Sequence, residues 1–203
     1  MPAFDHRGWE RFLVLMVVLR LAMSMSLSFP VPFLPLYVIA LGVSKTGEVA
    51  IWSGVIASVT FLASALFSPM WGALADRLGR KIMVVRSSGM AAISLLLSGL
   101  CHNVWQLFAL NAVSGIFAGF SAASMALVAT QVPEERLGFS LGWLATGQLV
   151  GSLIGPLLGG AIADRLHDYR VAYFTASGLA ILVTLACAAL IRERFQAVTR
   201  EPG

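Results

Sequence analysis

Six apolar runs follow one another along the chain, each about 20 residues long and able to cross the roughly 30 Å hydrocarbon core of a bilayer as a helix. The chain is 58% hydrophobic and 12% charged, whereas soluble domains carry about 25% charged residues. A water-soluble domain of 203 residues could not bury so much apolar surface. We therefore predict an all-α integral membrane protein whose six transmembrane helices cover residues 12–40, 48–70, 81–100, 104–131, 138–163 and 171–191.

The positions of Lys and Arg predict the orientation of these helices. Most of the 14 Lys and Arg residues fall at helix ends that are cytoplasmic if the N-terminus is inside, and only Lys45, Arg165 and Arg170 fall at the outer ends. Positive charge accumulates in cytoplasmic loops. We therefore expect a cytoplasmic N-terminus at 1–11, a six-helix bundle at 12–191 and a cytoplasmic tail at 192–203. The basic charge is explained by this bias and indicates no nucleic-acid partner.

A short segment occurs twice with opposite orientation. Residues 72–78 read Gly-Ala-Leu-Ala-Asp-Arg-Leu, and residues 160–166 read Gly-Ala-Ile-Ala-Asp-Arg-Leu. The first copy ends the second helix inside, whereas the second copy ends the fifth helix outside. The pattern predicts two inverted three-helix repeats, at about 12–100 and 104–191, an arrangement typical of transporters because mirrored units can alternate which side is open. Chance similarity between Ala- and Gly-rich helix ends is the alternative.

The first copy continues into more charge, and residues 72–81 predict a compact charged loop between two membrane helices. We interpret this loop as a latch at the cytoplasmic surface, in which glycines allow close approach and a carboxylate accepts hydrogen bonds. A glutamate of the next cytoplasmic loop is a candidate partner for its basic side chains. The alternative is a positively charged loop that only fixes topology. The predicted latch residues are Gly72, Asp76, Arg77, Gly79, Arg80, Lys81 and Glu134.

Glycines recur every four residues in the fifth helix, so they share one narrow stripe of its surface. A stripe without side chains lets a neighbouring backbone approach closely, and a proline within the helix removes one hydrogen-bond donor and weakens it there. Either a bending joint or tight static packing would produce this pattern. The residues concerned are Gly147, Gly151, Gly155, Pro156, Gly159 and Gly160.

These two motifs resemble those of the major facilitator superfamily. The segment Gly72 to Lys81 is similar to that family's signature between its second and third helices, and the glycine-proline stripe resembles the motif of its antiporter branches. The segment 33–37, Phe-Leu-Pro-Leu-Tyr, resembles the end of the first helix in multidrug efflux members. The resemblance covers nearly the whole chain, but only as the first six helices of a usual twelve.

The resemblance implies half of a major facilitator fold in a cell inner membrane, exporting small hydrophobic or cationic compounds in exchange for protons. It further implies that Asp76 docks against a helix N-terminus of a second six-helix bundle. That bundle would be a missing C-terminal half, another chain or a homodimer mate. A half-protein that transports nothing and pairs with another membrane subunit is the alternative function. No cofactor or metal site is expected.

Few polar side chains fall within the predicted helices. Arg20 lies well inside the first, where a charge is costly, so it faces a wet cavity or extends toward the headgroups. Related efflux proteins carry an arginine where this chain has Asn111, and we expect Arg20 to supply the cation instead. The nearest proton-coupling candidate is Glu48 at the start of the second helix; Asp76 or a carrier in a missing C-terminal half is the alternative. The cavity candidates are Arg20, Ser24, Ser28, Asn111 and Gln148; plain hydrogen bonding between helices is the alternative for each.

One sequence pattern suggests an enzyme, but its predicted structural context does not fit that interpretation. Residues 138–142 fit G-x-S-x-G around Ser140, which marks a nucleophile when it sits on a strand-to-helix turn. Here it falls at the start of a predicted helix, and no histidine lies within a helix to act as base. We therefore expect no catalytic residue. The cysteines, Cys101 and Cys187, are expected at opposite membrane ends and hence unpaired.

Overall fold

The computed structural model describes residues 8–166 and 168–191, without the side chains of Asp76 and residues 163–166. The segments 1–7 and 192–203, predicted to be cytoplasmic, lie outside this range. The described residues form eight α-helices and two short 3-10 turns. The helices are α1 (Gly8–Ser28), α2 (Leu34–Ala40), α3 (Thr46–Leu78), α4 (Arg80–Gly99), α5 (Val104–Ile116), α6 (Phe120–Gln131), α7 (Leu137–Leu166) and α8 (Tyr169–Leu190), and the 3-10 turns are Val31–Phe33 and Glu134–Arg136.

These helices make six membrane-spanning segments, as predicted. By length and composition, six helical stretches of the described chain are long and apolar enough to cross a bilayer. The first span joins α1 to α2 and the fourth joins α5 to α6, whereas α3, α4, α7 and α8 are each one span. The first and fourth spans, each predicted as one transmembrane helix, are each divided into two helices. Prolines interrupt the first span after Phe29, and Gly119, at φ +130°, interrupts the fourth.

The segment predicted to be a charged loop is mostly helical. α3 continues to Leu78 and α4 begins at Arg80, so Gly79 alone is non-helical between them. Residues 72–78 contain good helix formers and no proline after Pro69, so nothing ends the helix at the membrane edge. Gly79 ends it because its backbone, at φ +95°, takes a conformation that other residues rarely adopt. The loop prediction was therefore wrong, and only its tight turn is present.

The packing of the spans is symmetric under exchange of the two repeats. The most extensive helix pairings join α1 to α7, α3 to α5, and α4 to α8. In terms of spans these are first with fifth, second with fourth, and third with sixth. Exchanging the repeats converts the first pairing into the second and leaves the third unchanged. The fold is thus two inverted three-helix repeats, as the recurring segment predicts.

Contacts along each pair agree with spans that alternate in direction. Gly147 meets Val17 and Gly159 meets Phe29, so residue numbers rise together and α1 runs parallel to α7. By contrast, Lys81 near the start of α4 donates to a carbonyl near the end of α8. Gly99 at the end of α4 contacts Phe174 near the start of α8, so α4 and α8 are antiparallel.

Two tyrosines of the buried core lie against each other. Tyr37 of α2 is 1% exposed and Tyr173 of α8 is 5% exposed, and their ring centroids are 5.0 Å apart. Both rings pack inside the bundle. The Tyr37 hydroxyl donates to the Ser98 carbonyl at 2.8 Å. Trp105 and Trp143, by contrast, are largely exposed at span ends.

Candidate functional site

A buried arginine ties three spans together near the middle of the bundle. Arg20 of α1 is 2% exposed. Its Nη1 donates to the Ser121 carbonyl at 2.6 Å and to the Ser124 hydroxyl of α6. Its Nη2 donates to the Ser121 hydroxyl at 2.5 Å and to Gln148 Oε1 of α7. Four hydrogen bonds to neutral oxygens therefore hold the guanidinium, and they join the first, fourth and fifth spans.

The depth of this cluster excludes extension of Arg20 to the cytoplasmic headgroups. Arg20 follows the start of α1 at Gly8 by about 18 Å, at 1.5 Å per residue. Ser121 precedes the end of α6 at Gln131 by about 15 Å. The two partners Ser121 and Gln148 are exposed on the face of the bundle, whereas Arg20 lies beneath them. The charge therefore sits under a polar patch at mid-depth and does not itself line an open cavity.

The glycine stripe of α7 packs directly on the backbone of α1. A Cβ on Gly147 would lie 3.0 Å from the Val17 carbonyl, and one on Gly155 or Gly159 would lie 2.6 Å from the Met25 or Phe29 carbonyl. Real Cβ atoms essentially never come closer than 3.0 Å, so glycine is required at Gly155 and Gly159, whereas at Gly147 the contact would be tight. Gly151 meets the Leu21 carbonyl in the same way, while Gly160 makes only ordinary contact with Phe33. Pro156 lies inside the continuous helix α7.

Two of the predicted cavity residues lie at this seam. The Ser24 hydroxyl donates to the Gln148 carbonyl at 2.7 Å, which crosslinks α1 to α7 one turn above Arg20. Ser28 is half-buried beside Gly155. Serine is small enough for the two backbones to stay close. These residues build the support of the Arg20 cluster.

Asn111 lies apart from the Arg20 cluster, on α5. Its Nδ2 donates to the Leu107 carbonyl at 2.9 Å, and Thr60 of α3 donates to the Asn111 carbonyl at 3.3 Å. Gly115, one turn further, meets the Thr60 carbonyl so closely that no Cβ would fit. Asn111 therefore contributes to the α3–α5 seam, the counterpart of the α1–α7 seam.

The basic residues of the predicted latch reach carbonyls near helix ends. Arg80 Nη1 donates to the Ala126 carbonyl of α6 at 2.6 Å, and Lys81 Nζ donates to the Ala188 carbonyl of α8 at 2.8 Å. Cations are favoured there by the helix dipole. Arg77 is exposed, and nothing lies within 4 Å of a Cβ built on Gly72. Glu134 is exposed, and within the described chain it forms no ion pair; the side chain of Asp76 is outside the description.

Glu48 sits at the opposite end of the molecule from this turn. It lies in the first turn of α3 and pairs with Lys45 at 3.1 Å, with about half of its side chain exposed. The position is half-exposed and lies apart from the Arg20 cluster.

Sequence reasoning missed the role of a second, partly buried arginine. The guanidinium carbon of Arg86 lies 3.5 Å from the centroid of the Trp71 ring, and its Nη1 donates to the Phe117 carbonyl at 3.3 Å. Trp71 Nε1 donates to the Ile116 carbonyl at 2.6 Å. Both carbonyls belong to the break between α5 and α6, so Arg86 and Trp71 satisfy backbone groups that the break releases. Sequence analysis counted Arg86 only among the basic residues at the predicted cytoplasmic ends of the spans.

The serine pattern has no nucleophilic geometry. Ser140 lies inside α7, fully buried, and its hydroxyl has no hydrogen-bond partner. His102, the histidine that the structure describes, lies at the far end of the bundle after α4. Cys101 and Cys187 are both buried and free, which confirms the expectation that they do not pair.

Comparison with known proteins gives one consistent result. The profile of the Major Facilitator Superfamily matches residues 16–202. The multidrug resistance protein MdtG of Escherichia fergusonii is 43% identical over 97% of this chain and 48% of its own length. MdtG of Escherichia coli O6:K15:H31 is 44% identical over 96% of this chain and 47% of its own length.

The structural comparison agrees. A crystal structure of the human organic anion transporter MFSD10 (TETRAN) has a TM-score of 0.79 at 18% sequence identity, covering 97% of this chain and 50% of that one. This likeness concerns the fold alone. The chain spans about half the length of the curated relatives it matches. Since the family profile matches from residue 16 to residue 202, the chain belongs to the Major Facilitator Superfamily.

Proposed function

We propose that the chain is one half of an exporter of small, largely apolar or cationic compounds that works by alternating access. The observation that carries this proposal is the packing of the spans, which is unchanged when the two repeats are exchanged. Two mirrored units can adopt each other's conformations, and this is how inverted repeats open alternately to the two sides. The multidrug resistance proteins that align along nearly all of the chain support the same class of activity.

The pathway requires a second six-helix bundle, supplied by a C-terminal half, another chain or a second copy. α3 and α7 present apolar faces, with Phe61 76% and Leu157 73% exposed, and both faces need lipid or protein to cover them. We propose that the protein lies in a cell inner membrane with both termini in the cytoplasm. Positive charge collects at the start of α1 and at the ends of α3 and α6, and such charge accumulates on the cytoplasmic side.

We further propose that export is exchanged for protons and that residues 72–81 latch the cytoplasmic side. Asp76 and Arg77 precede the turn at Gly79, and Arg80 and Lys81 follow it. Charged residues therefore lie at the end of α3 and at the start of α4. An aspartate there can dock against a helix N-terminus of the second bundle. Glu48 is the acidic candidate for proton exchange, although its exposed position beside Lys45 favours a carrier in the second bundle.

Reconstitution tests the proposal. Proteoliposomes holding the chain would be loaded with the cationic dye Hoechst 33342 and followed with and without a pH gradient. We expect gradient-driven dye movement that Asp76→Asn impairs and that the matched cytoplasmic control Glu10→Gln leaves intact. Dye movement that is equally fast with and without the pH gradient would contradict proton exchange.

The alternative, a half-protein that pairs with another membrane subunit and transports nothing, is favoured by the coverage of about half of each relative. Crosslinking in the native membrane separates the two readings. The alternative would be supported if the chain is crosslinked to a different membrane protein and if neither the isolated chain nor the complex moves the dye.

A further inference from the structure

The amide of Gln148 is held in one orientation by the arginine beneath it. A guanidinium has only donors, so the atom of Gln148 that faces Arg20 must be its oxygen. The amide nitrogen then points away from Arg20, toward the exposed face of the bundle. Within the described chain this nitrogen donates to no acceptor, although the oxygen of the same amide accepts from Arg20 and Ser121. Two N–H donors are thus presented at mid-depth.

The support of this amide is rigid. Gly147 and Gly151 flank it and press α7 onto the backbone of α1, and Ser24 bonds to the carbonyl of Gln148 itself at 2.7 Å. The hydrogen bond from Arg20 Nη2 fixes the end of the side chain as well, and three further hydrogen bonds hold Arg20 itself. A donor held in place before a ligand arrives costs little conformational entropy on binding.

The electrostatics favour an acceptor over a cation. The guanidinium charge lies directly behind the amide, and no carboxylate of the described residues pairs with it. A positive charge polarises the amide in front of it, so its N–H groups become better donors. Lipid ester carbonyls lie at the edge of the hydrocarbon, about 15 Å away. An acceptor at this depth must therefore arrive on a compound that enters the bundle.

We propose that Gln148, positioned by Arg20, is a recognition site for an uncharged hydrogen-bond acceptor, such as a ketone or amide oxygen, on otherwise apolar compounds. Ser121, exposed beside it, lines the same site. The inference rests on the proposed export function, because it assumes that this face lines the substrate pathway. Pockets for small molecules combine apolar walls with a few fixed polar groups, and Gln148 and Ser121 would supply the fixed polar groups.

Photolabelling tests this without any transport assay. The chain in lipid nanodiscs would be irradiated with benzophenone, whose ketone is both the acceptor and the photoreactive group, and adducts mapped by mass spectrometry. We expect saturable adducts near Gln148 that fluorenone suppresses and fluorene, of the same shape without the carbonyl, does not. Gln148→Met should raise the half-saturating concentration about three- to tenfold, the equivalent of one hydrogen bond.

Two variants complete the test. Gln148→Glu places acceptors where the donors were, so it should weaken ketone labelling at least as much as Gln148→Met. Gln106→Met, at the outer end of the fourth span, should leave labelling unchanged. Equal suppression by fluorene, or unchanged labelling in Gln148→Met, would overturn the inference even if dye export is observed. Carbonyl-dependent labelling in a chain that moves no dye would sustain it and refute the export proposal alone.

Discussion

The guanidinium of Arg86 lies over the face of Trp71, 3.5 Å from the ring centroid. The two side chains come from adjacent spans, and both bond to carbonyls at the break in a third, the fourth span. A cation–π contact away from water is worth about 2 kcal/mol. Contacts from the second and third spans therefore stabilise the break in the fourth span.

Trp71→Phe should destabilise the bundle by about 1–3 kcal/mol. Phenylalanine keeps the ring under Arg86 but leaves the Ile116 carbonyl without its donor. The measurement is the free energy of unfolding in mixed micelles titrated with dodecyl sulfate. The control Trp143→Phe alters a ring that is 48% exposed, and its effect should stay within about 0.5 kcal/mol. Equal effects of the two substitutions would contradict this role of the indole.

Gly151→Ala should destabilise the bundle because its methyl group would overlap the Leu21 carbonyl of α1. Overpacking of this kind costs about 1–3 kcal/mol. Gly142→Ala, two turns earlier in the same helix, meets nothing within 4 Å and should stabilise by about 0.5–1 kcal/mol through helix propensity. Opposite signs of the two changes in melting temperature are the expected result.

Arg20→Lys should cost about 1–3 kcal/mol although it keeps the charge. An ammonium lacks the planar fork that reaches Ser121, Ser124 and Gln148 together, so buried oxygens lose their donors. Arg136→Lys, at an exposed position, is the matched control. If both variants unfold at the same detergent concentration, the hydrogen bonds of Arg20 contribute nothing to stability.

Cys101 should react slowly with maleimides, and the reaction should depend on pH. Burial raises the pKa of the Cys101 thiol, and nearby Arg170 opposes this only in part. Because the thiolate is the reactive form, alkylation should lag behind that of the unfolded chain and rise at higher pH. A pKa raised on folding gives stability that is complete below the unfolded value, about 8.5, and is lost as pH rises through the folded value. Mass spectrometry of the adducts at pH 7 to 10 measures the rate.

Side-specific labelling checks the orientation of the spans. In a cysteine-free background, Glu48→Cys and Glu134→Cys place thiols at exposed positions on the two ends of the bundle. An impermeant maleimide applied outside intact cells should label Glu48→Cys only, and Glu134→Cys should react after the cells are opened. Labelling of both from one side would refute inverted repeats.

Much of this architecture follows from the sequence because lipid imposes simple rules. The number of spans follows from apolar length, and the α1–α7 seam follows from glycines spaced four apart. The prediction of a loop at 72–81 was wrong because the charged residues were taken to mark the end of a helix. A helix can continue past the membrane edge until a residue such as Gly79 ends it. The break at Gly119 left no signal, since a single glycine is common in membrane helices.

Arg20 could be singled out from its depth, but its partners could not be. Serine and glutamine bond to many groups in membrane helices, and nothing in the spacing of Ser121, Ser124 and Gln148 indicates a shared arginine. Contacts between spans about 100 residues apart depend on the rotation of each helix about its axis, which apolar composition does not fix. The contacts of Arg86 could not be predicted for the same reason.

The seam between α1 and α7 has a mechanical consequence. Backbone lies close against backbone at Gly147, Gly151, Gly155 and Gly159, so the two helices have little room to slide past each other without steric overlap. We therefore expect the first and fifth spans to displace together, although they belong to different repeats. A movement at one end of α7 would then be transmitted along the seam to α1.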